Sequence, residues 1–269
     1  GDLRDLRVKE WIATVRPGCL EMTDERAFNR VRNYDQKFKL LPAGVVMWHG
    51  RLAEQRLCIS LPGQAIGEVV LTGAGTVGEL LTWAVEHRVV RADLALDCRF
   101  GGRAVDVYDE YMAGRVRTRV APQSVGHHGS LTDAGQEKLT VYMGSRKSDK
   151  LLRVYDKGLL EGMAPDWVRV ELELKDQYAH AACVGILEHG LPHVVPAAIC
   201  DFVDCPELAW WVRAMGGVQG ERYTMPAEKS DTLAWLRGTV FPTIRRELEG
   251  ADGAAVWAMV VAVVEEFKG

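Results

Sequence analysis

Tyr155 stands in the segment LLRVYDK, Leu151 to Lys157. Side chains alternate between the two faces of a strand, so as a strand this segment sets Arg153, Tyr155 and Lys157 on one face and Leu152 and Val154 on the other. A second segment, Trp167 to Lys175 (WVRVELELK), sets Arg169, Glu171, Glu173 and Lys175 against Val168, Val170, Leu172 and Leu174. A third, Val90 to Arg99 (VRADLALDCR), sets Asp93, Ala95, Asp97 and Arg99 against Leu94, Leu96 and Cys98. If the three share one sheet in register, four carboxylates, a tyrosine and several cations meet on one surface. Carboxylates in that setting can hold a hard cation or take a proton. A solvated strand face also carries charge at alternate positions. On its residues alone, Tyr155 reads as a half-buried strand residue with a hydrogen-bonded hydroxyl.

The elements that must position these residues follow from periodicity and turn chemistry. Trp11 to Val15 reads as a strand. Thr23 to Tyr34 reads as a helix, with Thr23 as N-cap and Asp24 and Glu25 in the first turn. Val45 to Gly50 and Gln55 to Leu61 read as strands around a turn, the second ended by Pro62-Gly63. Thr76 to His87 reads as a helix, with Val77, Leu80, Leu81 and Ala84 at helical spacing. Gly101-Gly102 marks a turn, and Ala104 to Met112 a short helix. Arg115 to Val120 alternates strictly, with Arg115, Arg117 and Arg119 on one face. That row either protects a sheet edge from aggregation or contacts phosphates. Ala121 to Gly135, with its glycines, proline and His127-His128 pair, reads as a loop. Asp176 to His189 reads as a helix, and the chain after Ile199 as mostly helical, with Trp210, Trp211, Trp235 and Trp257 in the core and a loop at Met215 to Met225. The fold class expected is α+β: a curved, largely antiparallel β-sheet with helices packed on one face, plus a mostly helical C-terminal part.

With 269 residues and 48% hydrophobic content the chain can bury a sizeable core in one large or two smaller domains. The net charge of −4 is no sign of a polyanion partner. Local charge differs: residues 99–157 carry +4 and the remainder −8, a basic patch on an acidic body. None of the six cysteines forms a CxxC pair, and several lie in apolar runs. Reduced thiols in a cytoplasmic protein are therefore expected. The longest apolar run, Ala254 to Val264, is shorter than the roughly 20 residues a membrane span needs, and no signal peptide is visible. The first residue is Gly1 and not Met, as expected of a cleavage scar or an internal start. His189 and His193 are separated by Gly190 and Pro192, which spoils the one-face spacing of a helical zinc site.

The order DLALD, then YxGSRxSxxLLRVYDKG, then WVRVELELK resembles the Rep_trans-type family, the initiators of rolling-circle plasmids together with the MOB-T relaxases of integrative elements. Upstream, EWIATV (Glu10 to Val15) is similar to the family's opening Asp-Trp strand, with Glu10 in place of Asp. The resemblance spans roughly residues 10–180. It implies replication initiation by a site-specific single-strand DNA endonuclease and strand transferase. A tyrosine attacks the scissile phosphate and keeps the 5′ end as a phosphotyrosine. The family's nucleophile falls on Tyr155, with Arg153 and Lys157 beside it to favour the phenolate. The divalent metal, Mg2+ or Mn2+, is expected at Asp93, Glu173, Glu171 and Asp97, in that order of preference, and one of these can instead serve as base on the tyrosine. Arg115, Arg117, Arg119, Arg146, Lys147 and Lys175 are the expected DNA-binding cations. A catalytic sheet domain over residues 1–195 and a helical, origin-recognising region over 196–269 are expected. The implied partners are origin DNA, single-stranded or extruded as a hairpin, a host helicase and a second copy in a homodimer, with no membrane. A conjugative relaxase with the same chemistry, or a non-catalytic DNA-binding protein on the same sheet, would share these features.

Overall fold

The computed structural model describes residues 18, 21–26, 36–41, 45–49 and 56–216, without 133, 134 and 136, and describes side chains from residue 58 onward. The strands are β1 (Glu21–Arg26), β2 (Gln36–Leu41), β3 (Val45–His49), β4 (Arg56–Ser60), β5 (Arg91–Cys98), β6 (Arg117–Thr118), β7 (Val125–Leu131), β8 (Glu137–Gly144), β9 (Lys150–Tyr155), β10 (Val168–Lys175) and β11 (Val203–Asp204). The helices are α1 (Gly63–Leu71), α2 (Val77–Glu86), α3 (Ala104–Met112), α4 (Lys157–Leu160), α5 (Asp176–His189), α6 (Leu191–Phe202) and α7 (Ala209–Ala214). The chain forms two compact units, residues 1–89 with 183–191, and residues 90–182 with 192–269.

The first unit holds the antiparallel meander β1-β2-β3-β4. The β3–β4 hairpin forms where the strand pattern predicts it, with Val45 opposite Ser60 and His49 opposite Arg56. Helix α2 starts at a capping box: Thr76 accepts from the Glu79 amide, and the Glu79 carboxylate accepts from the Thr76 amide. The helix expected from Thr23 is a strand at its start, since β1 pairs with β2, Met22 opposite Leu40 and Arg26 opposite Phe38. A neighbouring strand's hydrogen bonds override a weak local capping preference. Helix α1, directly after Pro62, was hidden by the reading of Pro62-Gly63 as a strand end. The expected strand at 11–15 lies outside the described residues.

The second unit is built on a five-stranded sheet in the order β5-β10-β9-β8-β7, antiparallel throughout. This is the expected α+β class. Its core is the apolar face predicted from the period of two. Val168, Val170, Leu172, Leu174, Leu152, Val154, Val141 and Met143 are all fully buried. Helix α3 covers this face beside β8 and β9 through Ala104 and Val107, and Trp210 and Trp211 of α7 are buried. Each large side chain so buried is worth about 1.5–3 kcal/mol. A slip of one residue would drive Glu171 and Glu173 into that core, so the apolar face fixes the register of the polar one.

Four expectations are corrected in this unit. Lys157 does not continue the tyrosine strand: β9 ends at Tyr155 and the chain turns into α4. Asp156, wholly buried, drives the turn. It accepts from Arg103 Nε and Nη2 at 3.1 Å each, from the Ala104 amide at 2.9 Å and from the Leu139 amide at 3.0 Å. Gly158 must be glycine there, because a Cβ would stand 1.7 Å from the Ala164 carbonyl oxygen. Second, the expected loop at 121–135 contains the edge strand β7, where His127 pairs with Val141 and His128 with Thr140. Its composition is polar because nothing covers most of its side chains. Third, the Arg115–Val120 run is a strand only at Arg117–Thr118, which pairs with β11 and not with the main sheet. The C-terminal helices begin earlier than expected, at Leu191, and Trp235 and Trp257 lie outside the described residues.

Candidate active site

The register sets the polar face row by row. Asp93 lies opposite Glu173, and Ala95 opposite Glu171, which lies opposite Arg153. Asp97 lies opposite Arg169, which lies opposite Tyr155. On β8 the same rows continue to Tyr142 beside Arg153 and Thr140 beside Tyr155. The three segments singled out by their chemistry are thus adjacent strands, with β10 in the middle.

Glu171 joins the tyrosine to the cations. Its Oε2 accepts from the Tyr155 hydroxyl at 3.1 Å and its Oε1 from Arg153 Nη2 at 2.5 Å. The same Arg153 nitrogen lies 3.6 Å from Asp93 and 3.9 Å from Glu173. Arg91 binds Asp93 in bidentate fashion and reaches Glu173 at 2.9 Å. Lys175 reaches Glu173 at 3.5 Å and donates to the carbonyls of Arg146 and Ser148. Three carboxylates therefore face three cations in a balanced cluster. Glu173 is almost fully buried, a state a carboxylate tolerates only when paired.

Asp97 belongs to a different group. It accepts a bidentate pair from Arg169 at 2.7 Å and a third bond from Trp167 Nε1 at 2.9 Å. Burial works to raise its pKa, but these hydrogen bonds outweigh it and hold the carboxyl below its ordinary range. The Asp97 hydrogen bonds raise the Arg169 pKa. Burial first, and then the Glu171 charge, push the Tyr155 phenol above its usual value, while Arg169 works the other way. The surroundings thus do not lower the phenol as Arg153 and Lys157 were expected to do. Lys157 is instead ion-paired with Glu161, the residue that caps α4, and stands 5.7 Å from the Trp167 ring.

The expected DNA contacts are scattered. Arg146 and Lys147 are exposed in the β8–β9 turn. Arg115 is held by Glu110. Arg117 is 77% exposed, with Asp204 at 4.0 Å. Arg119 lines a cavity of about 320 Å³ with Ser145, Lys150, Tyr178 and Phe202, at the end of β9 away from Tyr155. Arg169, Trp167 and Asp156 were not singled out. Arg169 and Trp167 carried the one available signal, their place on the Glu171 face in the period-of-two pattern.

For a divalent metal, Asp93, Glu171 and Glu173 offer hard oxygen donors, but they surround Arg153 Nη2, at 3.6, 2.5 and 3.9 Å. Among the described residues no group of three acidic, histidine or thiol side chains is set for a metal as it stands. His127 packs edge-on against Tyr108, with ring centres 4.5 Å apart. Cys98 and Cys183 are buried thiols pushed up by burial to about 12 and about 11. Among the described residues no helix is long and apolar enough to cross a membrane.

A sheet of this topology with a phenol, carboxylates and cations on its open face defines a class. The chain is similar to a solved structure of the rolling-circle replication initiator protein from Geobacillus stearothermophilus, with 19% identity and a TM-score of 0.61 over 79% of this chain and 87% of that one. No curated protein matches. The model of the Rep_trans family, replication initiation factors, matches residues 87–253, and the chain belongs to that family.

Proposed function

We propose that the protein nicks one strand of DNA at a replication origin, with Tyr155 as nucleophile. The observation that carries this reading is the Tyr155–Glu171–Arg153 chain of hydrogen bonds on the open sheet face. The Tyr155 oxygen bonds to the scissile phosphorus, and the bond from phosphorus to the 3′ oxygen breaks. The products are a 5′-phosphotyrosine and a free 3′-OH. Because the phenol is held protonated, its proton must leave as the bond forms. Glu171, already its acceptor, takes it, and a proton from solvent completes the 3′-OH. Arg169 offers positive charge next to the developing phenolate and the phosphate oxygens.

Asp93, Glu171 and Glu173 would hold Mg2+ or Mn2+, in competition with Arg153. When bound there, such a cation would neutralise charge at the phosphate oxygens. Since three carboxylates and three cations already balance, the cluster draws a dication weakly until a DNA phosphate adds negative charge. Metal and DNA are therefore expected to bind cooperatively. The exposed Arg117, Arg146 and Lys147 supply phosphate contacts.

The test is incubation with a random-sequence pool of single-stranded DNA in Mn2+ or in EDTA. The reading predicts cleavage in Mn2+ alone, with extendable 3′ ends and blocked 5′ ends at a shared sequence. Cleavage undiminished in EDTA removes the metal, and free 5′-phosphates remove the tyrosine.

A further inference from the structure

Just past the paired end of the sheet, the polar face continues into a group that the nicking chemistry leaves unused. Trp167 precedes β10 and shares the face of Arg169, Glu171 and Glu173. Arg99 follows β5, one step beyond the last pair, Val168 with Cys98. The Arg99 guanidinium lies over the indole, 4.4 Å from its centroid, and Lys157 stands 5.7 Å from it. The ring is only partly buried, and its orientation is fixed by the Nε1 bond to Asp97, which also fixes Arg169.

We propose that the Trp167–Arg99 pair is a stacking platform for one unpaired DNA base next to the scissile phosphate. This deepens the nicking reading and rests on it. Trp167 is one two-residue step, about 7 Å, along β10 from Arg169, the residue opposite Tyr155. A phosphate at Tyr155 therefore has its neighbouring nucleotide within reach of the indole. An aromatic ring beside a guanidinium suits a base with no partner strand: the base stacks on the platform, and the cations meet the adjoining phosphate. The face is sequence-tolerant, because every base offers a flat π surface. Asp97 acts here as the positioning residue that ties the platform to Arg169, so base seating and phosphate seating share one anchor. The platform thus selects single-stranded DNA at the nick, since a base held in a duplex cannot turn onto it.

The experiment uses the oligonucleotide cleaved by the wild type and measures its binding in the Tyr155→Phe background, where no cut intervenes. Single abasic residues are placed at each position flanking the nick. One adjacent position is expected to weaken binding about 5- to 150-fold, the worth of one base–aromatic stack. Trp167→Leu should weaken the intact oligonucleotide to a similar degree and cancel the penalty at that position alone. Trp167→Phe keeps a stacking ring but loses the Asp97 bond, so it should retain most of the penalty, and Arg99→Gln should reduce it with the indole intact. If Phe loses as much as Leu, the indole acts only by holding Asp97, and the platform is overturned. It is equally overturned if every abasic penalty survives Trp167→Leu. Should the wild type cleave and bind no single strand, the platform falls together with the reading beneath it.

Discussion

Asp93 and Asp97 sit on one strand and one face, and in the sequence they look interchangeable. The sheet gives them different lives. Asp93 lies opposite Glu173, so like charges are set together and cations from three strands gather around them. Asp97 lies opposite Arg169, so its charge is answered at once, and Trp167 completes the set. Both aspartates are held bidentately by an arginine, Asp93 by Arg91 and Asp97 by Arg169, so the cross-strand partner, and not the residue type, decides which of them joins a cluster of carboxylates. A sheet surface builds two subsites from one repeat in this way.

The comparison breaks most visibly at Glu171, the carboxylate nearest Tyr155. Glu171→Gln should slow nicking by about 10²- to 10⁴-fold, the usual worth of a positioned base. Because the Glu171 charge helps hold the phenol proton, the same change should bring the Tyr155 pKa down toward its ordinary value. Ring-labelled tyrosine followed by NMR through a pH titration reads that shift, and an unmoved phenol would separate the two groups. Next is the metal. Asp93→Asn should weaken Mn2+ binding at least about tenfold, Asp97→Asn should leave it unchanged, and Arg153→Gln should tighten it about tenfold by removing a competing charge. Calorimetry with and without DNA measures all three, and equal losses for the two aspartates would erase the distinction.

A smaller effect concerns stability. Asp97→Asn breaks a partly exposed ion pair worth about 0–1 kcal/mol, so the melting temperature should drop by at most about 2–4 °C. The Asp97 carboxyl is depressed in the fold, so its contribution is present above the unfolded-state carboxyl pKa and is lost as pH falls through the lower folded value. The wild type and variant curves should therefore stay apart near neutrality and converge only in acid. The smallest effect extends the comparison to arginines held closely and loosely by a carboxylate, Arg115 at 2.7 Å from Glu110 and Arg117 at 4.0 Å from Asp204. Replacing Arg115, Arg117 and Arg119 by Gln should flatten the salt slope of single-strand binding by no more than about 1.4, or two phosphates, because Arg115 is held by Glu110. A change of about 2 would mean that Arg115 leaves Glu110 for DNA.

Where burial enforces a period, the sequence was readable. The apolar rows of β5 and β10 follow from the alternation of Leu and Val with charged residues, and the clustering of Tyr155 with Glu171 and Arg153 follows once the strands are adjacent. Registers were not readable, because nothing in VRADLALDCR says which residue faces Asp97 and which faces Asp93. Lys157 was misplaced because a strand's end depends on what Asp156 binds, and its partners Arg103 and Leu139 lie far away in the chain. The edge strand β7 was missed for the opposite reason: with most of its side chains exposed, VGHHGSL has no apolar alternation to read. The start of β1 looked like a helix because Thr23-Asp24-Glu25 satisfies capping rules that strand pairing then overrides.

Tyr155 is the residue proposed to carry the bond to DNA. Cleaved single-stranded DNA that stays bound after denaturation should be digested with nuclease and protease, and the peptides examined by mass spectrometry. A nucleotide phosphate is expected on the peptide containing Tyr155, with complete loss of the adduct in Tyr155→Phe and single-strand affinity retained. An adduct on Tyr142 or Tyr178, or one that persists in Tyr155→Phe, would contradict that assignment.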